Sequence, residues 1–219
     1  AYGICQDRSM GIKYRAALLL DFSFALQKKL KKRKCGDVTA HYKDKKYLAQ
    51  RIDVLEKKYS GYKKTQQMLK EWLKVYNGLE HIKPEWTDML SKLNAFVADG
   101  ILNVSKTAKV VNEREYEYEH LLVYYVYRYF LRAVFDGELA GKVQLACAAL
   151  IMQEMLGCVY CESEDSFSFE RQVTAMRIYS KETEHSEENL EVLYKNFDKN
   201  KAFSYKTFMG IIFGSGLLI

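Results

Sequence analysis

The chain has 219 residues, of which 48% are hydrophobic and 14% aromatic, with 12 glycines and one proline, Pro84. This length allows one large domain or two small ones, and the scarcity of chain breakers excludes a many-turned β-sandwich in favour of long helices. The five cysteines lack the spacing of a disulfide framework, so we expect a reducing compartment and mostly free thiols.

The net charge of +6 is distributed unevenly along the chain. Residues 1–110 contain 23 lysines and arginines against 11 aspartates and glutamates, whereas residues 111–219 contain 11 against 17. A basic half of this kind could face an acidic partner, or the two halves could face each other.

No stretch of the sequence is typical of a membrane segment or a targeting signal. The richest apolar run, 121–135, is interrupted by Arg128 and is too short to span a bilayer, and the apolar tail 208–219 is shorter still. No secretory signal opens the sequence. We therefore expect a soluble, cytoplasmic protein with no membrane partner.

The first half of the chain has the pattern of successive amphipathic helices. The first helix is predicted over 12–34, where the basic end KKLKKRK suits a helix C-terminus; Gly36 is the expected stop, and a polar loop follows through His41. Three further segments carry apolar residues at helical spacing, and Pro84 fits the first turn of the third. These apolar residues are Tyr47, Leu48, Ile52, Leu55 and Tyr59; Leu69, Trp72, Leu73 and Tyr76; and Trp86, Met89, Leu90, Leu93 and Val97.

The second half begins with a predicted connector over 100–111. Two helices with little polar surface are then predicted, over 113–135 and 139–156, with a turn at Asp136-Gly137 between them. A helix without a polar face belongs in the interior, so we expect these two to form a central hairpin wrapped by the amphipathic helices. After the polar loop CESEDS, Ser168 is expected to cap a helix from Phe169 to about Ser180, and Ser186 is expected to cap a final helix.

These patterns predict an all-α fold, an irregular multi-helix bundle with a buried central helical hairpin at about 113–156. We expect a basic amphipathic part over 1–99 and a helical core over 112–219, either as one compact domain or as two closely packed subdomains.

The stretch 177–189, RIYSKETEHSEEN, is rich in side chains that could carry chemistry. If 181–189 were one continuous helix, Glu182, His185 and Asn189 would share a face, where a histidine beside carboxylates could move a proton or hold a metal. Alternatively, the stretch is a junction between two helices, with Ser186 as the cap and the following glutamates favouring the helix dipole. The spacing alone favours the junction.

Two other features have weaker functional interpretations. Cys158 and Cys161 have the spacing of half a zinc or iron–sulfur site, but no second pair is present, so we favour loop cysteines without a special role. The basic run 28–34 could contact phosphates, but no nucleic-acid-binding module accompanies it. A solvated helix end is therefore the preferred interpretation, and nucleic acid is not an expected partner.

Six tyrosines lie between residues 116 and 129. They could form an aromatic wall for a cationic ligand, or they could be core residues with a polar handle, which is the favoured interpretation. Arg128, within this run, needs a carboxylate partner because an unpaired buried guanidinium is costly, and Glu182 and Glu184 are the candidates. The tyrosines are Tyr116, Tyr118, Tyr124, Tyr125, Tyr127 and Tyr129.

Four blocks of the sequence form a set: QDRS at 6–9, LEHIKPEW at 79–86, LLVYYVYRYFLRAVFDGEL at 121–139 and YSKETEHSEEN at 179–189. Together they resemble the flagellin lysine-N-methylases, also called FliB-type proteins. The blocks occur in the family's order, and the last is the most specific, although Lys181 stands where arginine is more usual. The sequence lacks the glycine-rich loop after a strand that a Rossmann-type dinucleotide or S-adenosylmethionine fold requires.

The resemblance implies transfer of methyl groups from S-adenosylmethionine to lysine side chains of flagellin. It also implies that an iron–sulfur or other metal site lies in a cysteine-rich region outside these residues. The chain then corresponds either to the helical body that follows this region or to a member of the family without the region. Lysine methylation requires a neutral amine aligned with a sulfonium methyl group, which desolvation among tyrosines and a nearby base would favour.

The resemblance also suggests roles for individual residues. The expected catalytic residues are Glu184, His185, Glu182 and Tyr179, and the expected substrate- or cofactor-binding residues are Tyr124, Arg128, Tyr129, Arg177 and Asn189. We expect Tyr124, Arg128, Tyr179, Glu182, Glu184 and His185 to surround one pocket. The alternative interpretation is a non-enzymatic helical interaction module with a basic face, in which YSKETEHSEEN is purely structural.

Overall fold

The structure, a computed structural model, describes residues 1–30, 36–98, 100, 105–164 and 167–217, with the side chains of all of these except 105–107, 110 and 162–164. Within these ranges it contains α-helices and two short 3₁₀ turns and no strand, so the predicted all-α fold is confirmed. The helices are α1 Tyr2–Cys5, α2 Ile12–Leu30, α3 Gly36–His41, α4 Lys45–Tyr59, α5 Thr65–Asn77, α6 Pro84–Ala98, α7 Ser105–Glu113, α8 Glu115–Arg128, α9 Ala133–Asp136, α10 Ala140–Glu164, α11 Phe169–Thr183, α12 Glu187–Lys199 and α13 Tyr205–Gly214; the 3₁₀ turns are Phe130–Arg132 and Lys201–Phe203.

Helix α10 is the centre of the fold. It packs against α2, α6, α7, α8, α11 and α12, and its small residues Ala146, Ala148 and Ala149 allow these neighbours to approach closely. The segment Ala140–Cys161 is long and apolar enough to cross a membrane, but 94% of its apolar 18-residue window is buried by the rest of the protein. This burial is what a core helix shows, and it confirms the predicted interior position of the second hairpin helix.

The prediction for the first helix of the hairpin is wrong both in the length of that helix and in its burial. α8 ends at Arg128, and after Tyr129 the backbone tightens into the 3₁₀ turn and then α9. Because the helical path is interrupted there, the apolar residues that follow do not continue the buried face. Val134 is 83% exposed and Phe135 is 91% exposed.

Four other predicted boundaries are wrong. Gly36 begins α3 instead of ending a helix, because Val38 is buried and packs this short helix onto α2, while residues 31–35 lie outside the described part of the chain. The predicted connector 100–111 contains most of α7, which packs against α10. α10 continues to Glu164 instead of ending near 156. α11 runs to Thr183, one turn beyond the predicted end.

Predicted helix starts agree with the structure. Pro84 is the first residue of α6. Ser168 accepts a hydrogen bond from the amide of Arg171, and Ser186 accepts one from the amide of Asn189, so both are N-caps. Gly137 closes α9 in a left-handed conformation with φ of 72°, which glycine adopts without a steric penalty.

The basic first half and the acidic second half meet through a buried ionic cluster. The guanidinium of Arg15 on α2 donates to Glu119 on α8 over 2.7 Å and also pairs with Glu115. Arg8, from the QDRS block, donates two further hydrogen bonds to the Glu119 carboxylate. These contacts lower the pKa of Glu119, with the hydrogen bond from Arg8 as the largest cause. The first sequence block therefore fixes the start of the chain against α8.

Candidate functional site

The segment 177–189 is a helix junction and not one continuous helix. α11 ends at Thr183, whose hydroxyl donates to the carbonyl of Tyr179, and Ser186 caps α12. Glu184 and His185 therefore lie in a short turn between two helices. Glu182, His185 and Asn189 do not share one helical face, so that interpretation is wrong and the junction is confirmed.

Glu184 is the centre of a hydrogen-bonded cluster of tyrosines. The hydroxyls of Tyr124, Tyr125 and Tyr129 donate to its two carboxylate oxygens over 2.9, 2.8 and 2.9 Å. The Nε of Arg128 lies 3.7 Å from the same carboxylate, which confirms the predicted pairing of Arg128 with either Glu182 or Glu184 and shows that the partner is Glu184. The Arg128 side chain is 43% exposed, so this guanidinium is not buried as expected. The tyrosines of α8 therefore converge on the α11–α12 junction.

The environment of this cluster keeps its phenols protonated. Burial raises the pKa of Tyr125 well above its ordinary value, and the neighbouring Tyr179 and Glu184 raise it further. Burial and the Glu184 charge raise the pKa of Tyr124 to about 12. A protonated phenol can donate to a carboxylate, whereas a phenolate would repel it. Glu184, with a side chain only 1% exposed, is thus a fully engaged acceptor that holds three phenols in place.

Two other residues of the segment 177–189 form hydrogen bonds with the backbone of the LEHIKPEW block. The Glu182 carboxylate accepts a hydrogen bond from the amide of Ile82 over 2.7 Å. The Asn189 side chain accepts from the amide of Glu80 and donates to the carbonyls of Glu80 and Glu182, over 2.8, 2.8 and 2.7 Å. Both side chains are buried. They satisfy backbone groups of the loop before α6, and each such buried bond is costly to lose.

Tyr179 also points into the core. Its hydroxyl lies 2.9 Å from that of Tyr76, and its ring packs edge-on against Trp86 from the LEHIKPEW block. Only 2% of Tyr179 is exposed, and burial raises its pKa well above the ordinary value. Tyr179 thus joins α11 to α5 and α6.

The predicted site residues fall into two groups by exposure. Tyr124, Arg128, Arg177 and His185 are exposed, and the first two, together with His185, adjoin Glu184. Buried members of the set are Tyr129, Tyr179, Glu182, Glu184 and Asn189. The structure therefore gathers Tyr124, Tyr129, Arg128 and Glu184, and His185 follows Glu184 in the chain without a side-chain contact to this cluster. Glu182, Asn189 and Tyr179 instead bind α5, α6 and the loop before α6.

A cavity of about 670 Å³ lies at the junction of α2, α10 and α12. Its walls combine three aromatic rings with four carboxylates and four lysines. Tyr194, in its wall, has a pKa raised to about 12, mainly by burial and also by the charges of Asp136 and Glu184. The lining includes Phe24, Gln27, Lys28, Asp136, Glu138, Lys142, Gln144, Glu191, Tyr194, Lys195, Phe197, Asp198 and Lys199.

Sequence reasoning did not identify this cavity. The Gln27 side chain supports its rim: Oε1 accepts a hydrogen bond from the backbone amide of Leu139 over 2.6 Å, and Nε2 donates one to the backbone carbonyl of Gly137 over 2.9 Å. Gln144 supports its floor by donating to the carbonyl of Phe203 over 2.7 Å. These two glutamines on otherwise apolar helix faces were the available signal.

The cysteines and acidic residues give no metal site in the described part of the chain, where no group of three or more His, Cys, Asp or Glu side chains could hold an ion. Cys158 and Cys161 lie on α10, buried, and not in a loop as expected, because the helix extends past them. Burial raises the pKa of Cys5 to about 12, which keeps that thiol protonated. In the described part of the chain, Cys5, Cys147, Cys158 and Cys161 form no disulfide bond.

The fold and the junction define an all-helical domain in which two sequence blocks are joined through buried carboxylates. The chain matches a family model over residues 1–211, and that family is the FliB lysine N-methylase C-terminal domain. The chain therefore belongs to this family, which confirms the resemblance inferred from the four blocks. No curated protein and no solved structure matches it.

Proposed function

We propose that this chain is the helical body of a protein lysine N-methylase that transfers methyl groups from S-adenosylmethionine to lysines of flagellin. The observation that carries the proposal is the match to the lysine N-methylase domain over residues 1–211. The reaction needs a neutral lysine amine, a methyl donor held in line with it, and a group or water that accepts the released proton.

The cavity between α2, α10 and α12 suits the methyl donor in size and chemistry. A volume of about 670 Å³ lies within the range of small-molecule sites. The rings of Tyr194 and Phe197 could hold an adenine, carboxylates such as Asp136 and Glu138 could bind ribose hydroxyls, and lysines of the rim could bind the amino-acid carboxylate. When bound, S-adenosylmethionine supplies the electrophilic methyl group.

The exposed members of the Glu184 cluster are proposed to contact the substrate. Tyr124 and Arg128 present a half-exposed aromatic and cationic surface. The exposed imidazole of His185, which follows Glu184 in the chain, is proposed to accept the proton. Glu184 and Tyr129 act through these neighbours, because the carboxylate and the phenol already bond each other. Glu182, Tyr179 and Asn189 are proposed to act as positioning residues, and Arg177 to bind substrate from the surface.

We place an iron–sulfur or other metal site outside this chain and the protein in the cytoplasm, with flagellin as the partner. Nucleic acid and membrane are not proposed as partners.

A non-enzymatic helical interaction module is the second candidate, and one observation favours it. Glu182, Glu184 and Asn189 are all engaged in hydrogen bonds inside the fold, as a structural element would require. In that case the exposed basic residues alone would serve binding.

Methyl transfer from labelled S-adenosylmethionine to purified flagellin separates the two candidates. The full-length, metal-loaded protein is expected to label flagellin lysines, Glu184→Gln to lower kcat by disordering the tyrosines, and His185→Ala to lower kcat with unchanged stability. Absence of labelling by the parent protein would leave only the interaction module. Unchanged labelling by His185→Ala would remove His185 from the proposed site.

A further inference from the structure

Three cationic side chains surround a small surface cavity of about 140 Å³. Arg177 and Lys181 lie one turn apart on α11, and Lys83 directly precedes α6; Glu85 and Ile178 complete the lining. All three cations are exposed, and in the part of the chain that the structure describes none of them has an ion-pair partner. The cavity therefore holds unneutralised positive charge.

The cavity is preformed because the backbone beside Lys83 is fixed. The Glu182 carboxylate accepts a hydrogen bond from the amide of Ile82. The Asn189 side chain accepts one from the amide of Glu80 and donates one to the carbonyl of Glu80. These buried bonds place Lys83 against α11, so the cations remain close although like charges repel each other. An anion that enters the cavity meets charges already in place, and less conformational entropy is lost on binding.

The surrounding structure also favours an anion. The cavity lies at the N-terminus of the 15-residue helix α6, whose dipole adds positive potential to that of the side chains. Glu85 is the one carboxylate in the lining, so the net charge of the lining side chains remains +2. The volume accommodates a carboxylate group and not a nucleotide.

We propose that Lys83, Arg177 and Lys181 form a docking cleft for carboxylate side chains of an acidic segment of the protein substrate. This inference rests on the proposed function, because a methylase must hold its protein substrate while one lysine reacts. An acidic segment is favoured over a small free anion since exposed ion pairs are individually weak, whereas several carboxylates on one chain add their contributions. Arginine can bind a carboxylate through two parallel hydrogen bonds, and the lysines add charge.

Fluorescence anisotropy with a labelled hexaglutamate peptide tests the cleft independently of methyl transfer. The comparison uses the parent protein, Arg177→Gln/Lys181→Gln, and the control Lys57→Gln/Lys70→Gln, which removes the same charge from exposed positions on α4 and α5. We expect the peptide to bind the parent and the affinity to fall about tenfold in the cleft variant and less than twofold in the control. Unchanged circular dichroism and Tm would show that the variants are folded.

Three outcomes would overturn the inference. Absence of binding to the parent would show that the cavity is not a docking cleft. Equal losses in both variants would mean that the cations attract anions only through net charge. Displacement of the peptide by an equimolar concentration of inorganic phosphate would assign the cavity to phosphate and not to an acidic segment. Failure of methyl transfer with intact peptide binding would contradict the proposed function and leave the cleft standing.

Discussion

The hydroxyl of Tyr125 on α8 donates to the Glu184 carboxylate at the α11–α12 junction over 2.8 Å, in a site that is closed to solvent. This bond joins the third sequence block to the fourth. Tyr124 and Tyr129 both donate to the other oxygen of the same carboxylate. Glu184 is therefore held by the same helix that carries the exposed Arg128, and the position of one depends on the other.

Replacement of Tyr125 by phenylalanine is expected to lower the free energy of unfolding by about 1–2 kcal/mol, because a buried carboxylate loses one of its donors. Tyr127→Phe, on the same helix, removes an identical hydroxyl from a side chain that is 62% exposed and should have almost no effect. Chemical denaturation measures both. Equal small losses in the two variants would mean that the cluster contributes nothing to stability.

Alkaline pH should destabilise the fold through the same tyrosines. Their pKa values are raised in the folded protein, to about 12 for Tyr124 and well above the ordinary value for Tyr125 and Tyr179. The folded state then binds more protons than the unfolded state above about pH 10, so stability is complete below that pH and falls as the pH rises through the folded values. Denaturation midpoints measured across this range should decrease, and Tyr125→Phe should flatten the decrease. A flat profile in the parent protein would contradict the burial of these phenols.

Asn189→Ala is expected to release the loop before α6, since three hydrogen bonds to Glu80 and Glu182 are lost. The unfolding free energy should fall by roughly 2–3 kcal/mol, and amide hydrogen exchange should accelerate at residues 80–82. Asn112→Ala, which removes the same side chain from an exposed position on α7, is the matched control and should change neither quantity appreciably. Protection of residues 80–82 that is unchanged in Asn189→Ala would show that this side chain does not anchor the loop.

Two phenylalanines that differ in burial should respond to substitution to very different extents. Phe135→Ser should change the unfolding free energy by less than about 0.5 kcal/mol, because the side chain is 91% exposed. Phe203→Ala should cost about 3–5 kcal/mol, since Phe203 is fully buried and stacks on Trp72 at 4.8 Å. A large loss in Phe135→Ser would place α9 inside the core and would restore the long buried helix that the sequence predicts.

Periodicity and cap residues were sufficient to predict the helical class, the central position of α10 and the starts at Pro84, Ser168 and Ser186. They were insufficient at 129–136, because composition does not reveal where a helix is interrupted. The exposure of Val134 and Phe135 depends on the turn after Tyr129, which is a tertiary feature.

The candidate site was predictable to a smaller extent. The pairing of Arg128 with Glu182 or Glu184 was predicted from the cost of an unpaired buried charge, and in the structure the partner is Glu184. The roles of Glu182 and Asn189 could not be predicted, because their partners are backbone groups about 100 residues earlier in the chain. The large cavity lies between α2, α10 and α12, and no local pattern records which helices become neighbours.

The most direct test of the account is the methylation state of flagellin lysines after incubation with S-adenosylmethionine and the full-length, metal-loaded protein, read by mass spectrometry of flagellin peptides. The account predicts methylated lysines with the parent protein and fewer of them with Glu184→Gln, whose amide supplies only one acceptor oxygen to the tyrosines. Flagellin that remains unmethylated with the folded parent protein would contradict the assignment of this helical domain to lysine methylation of flagellin.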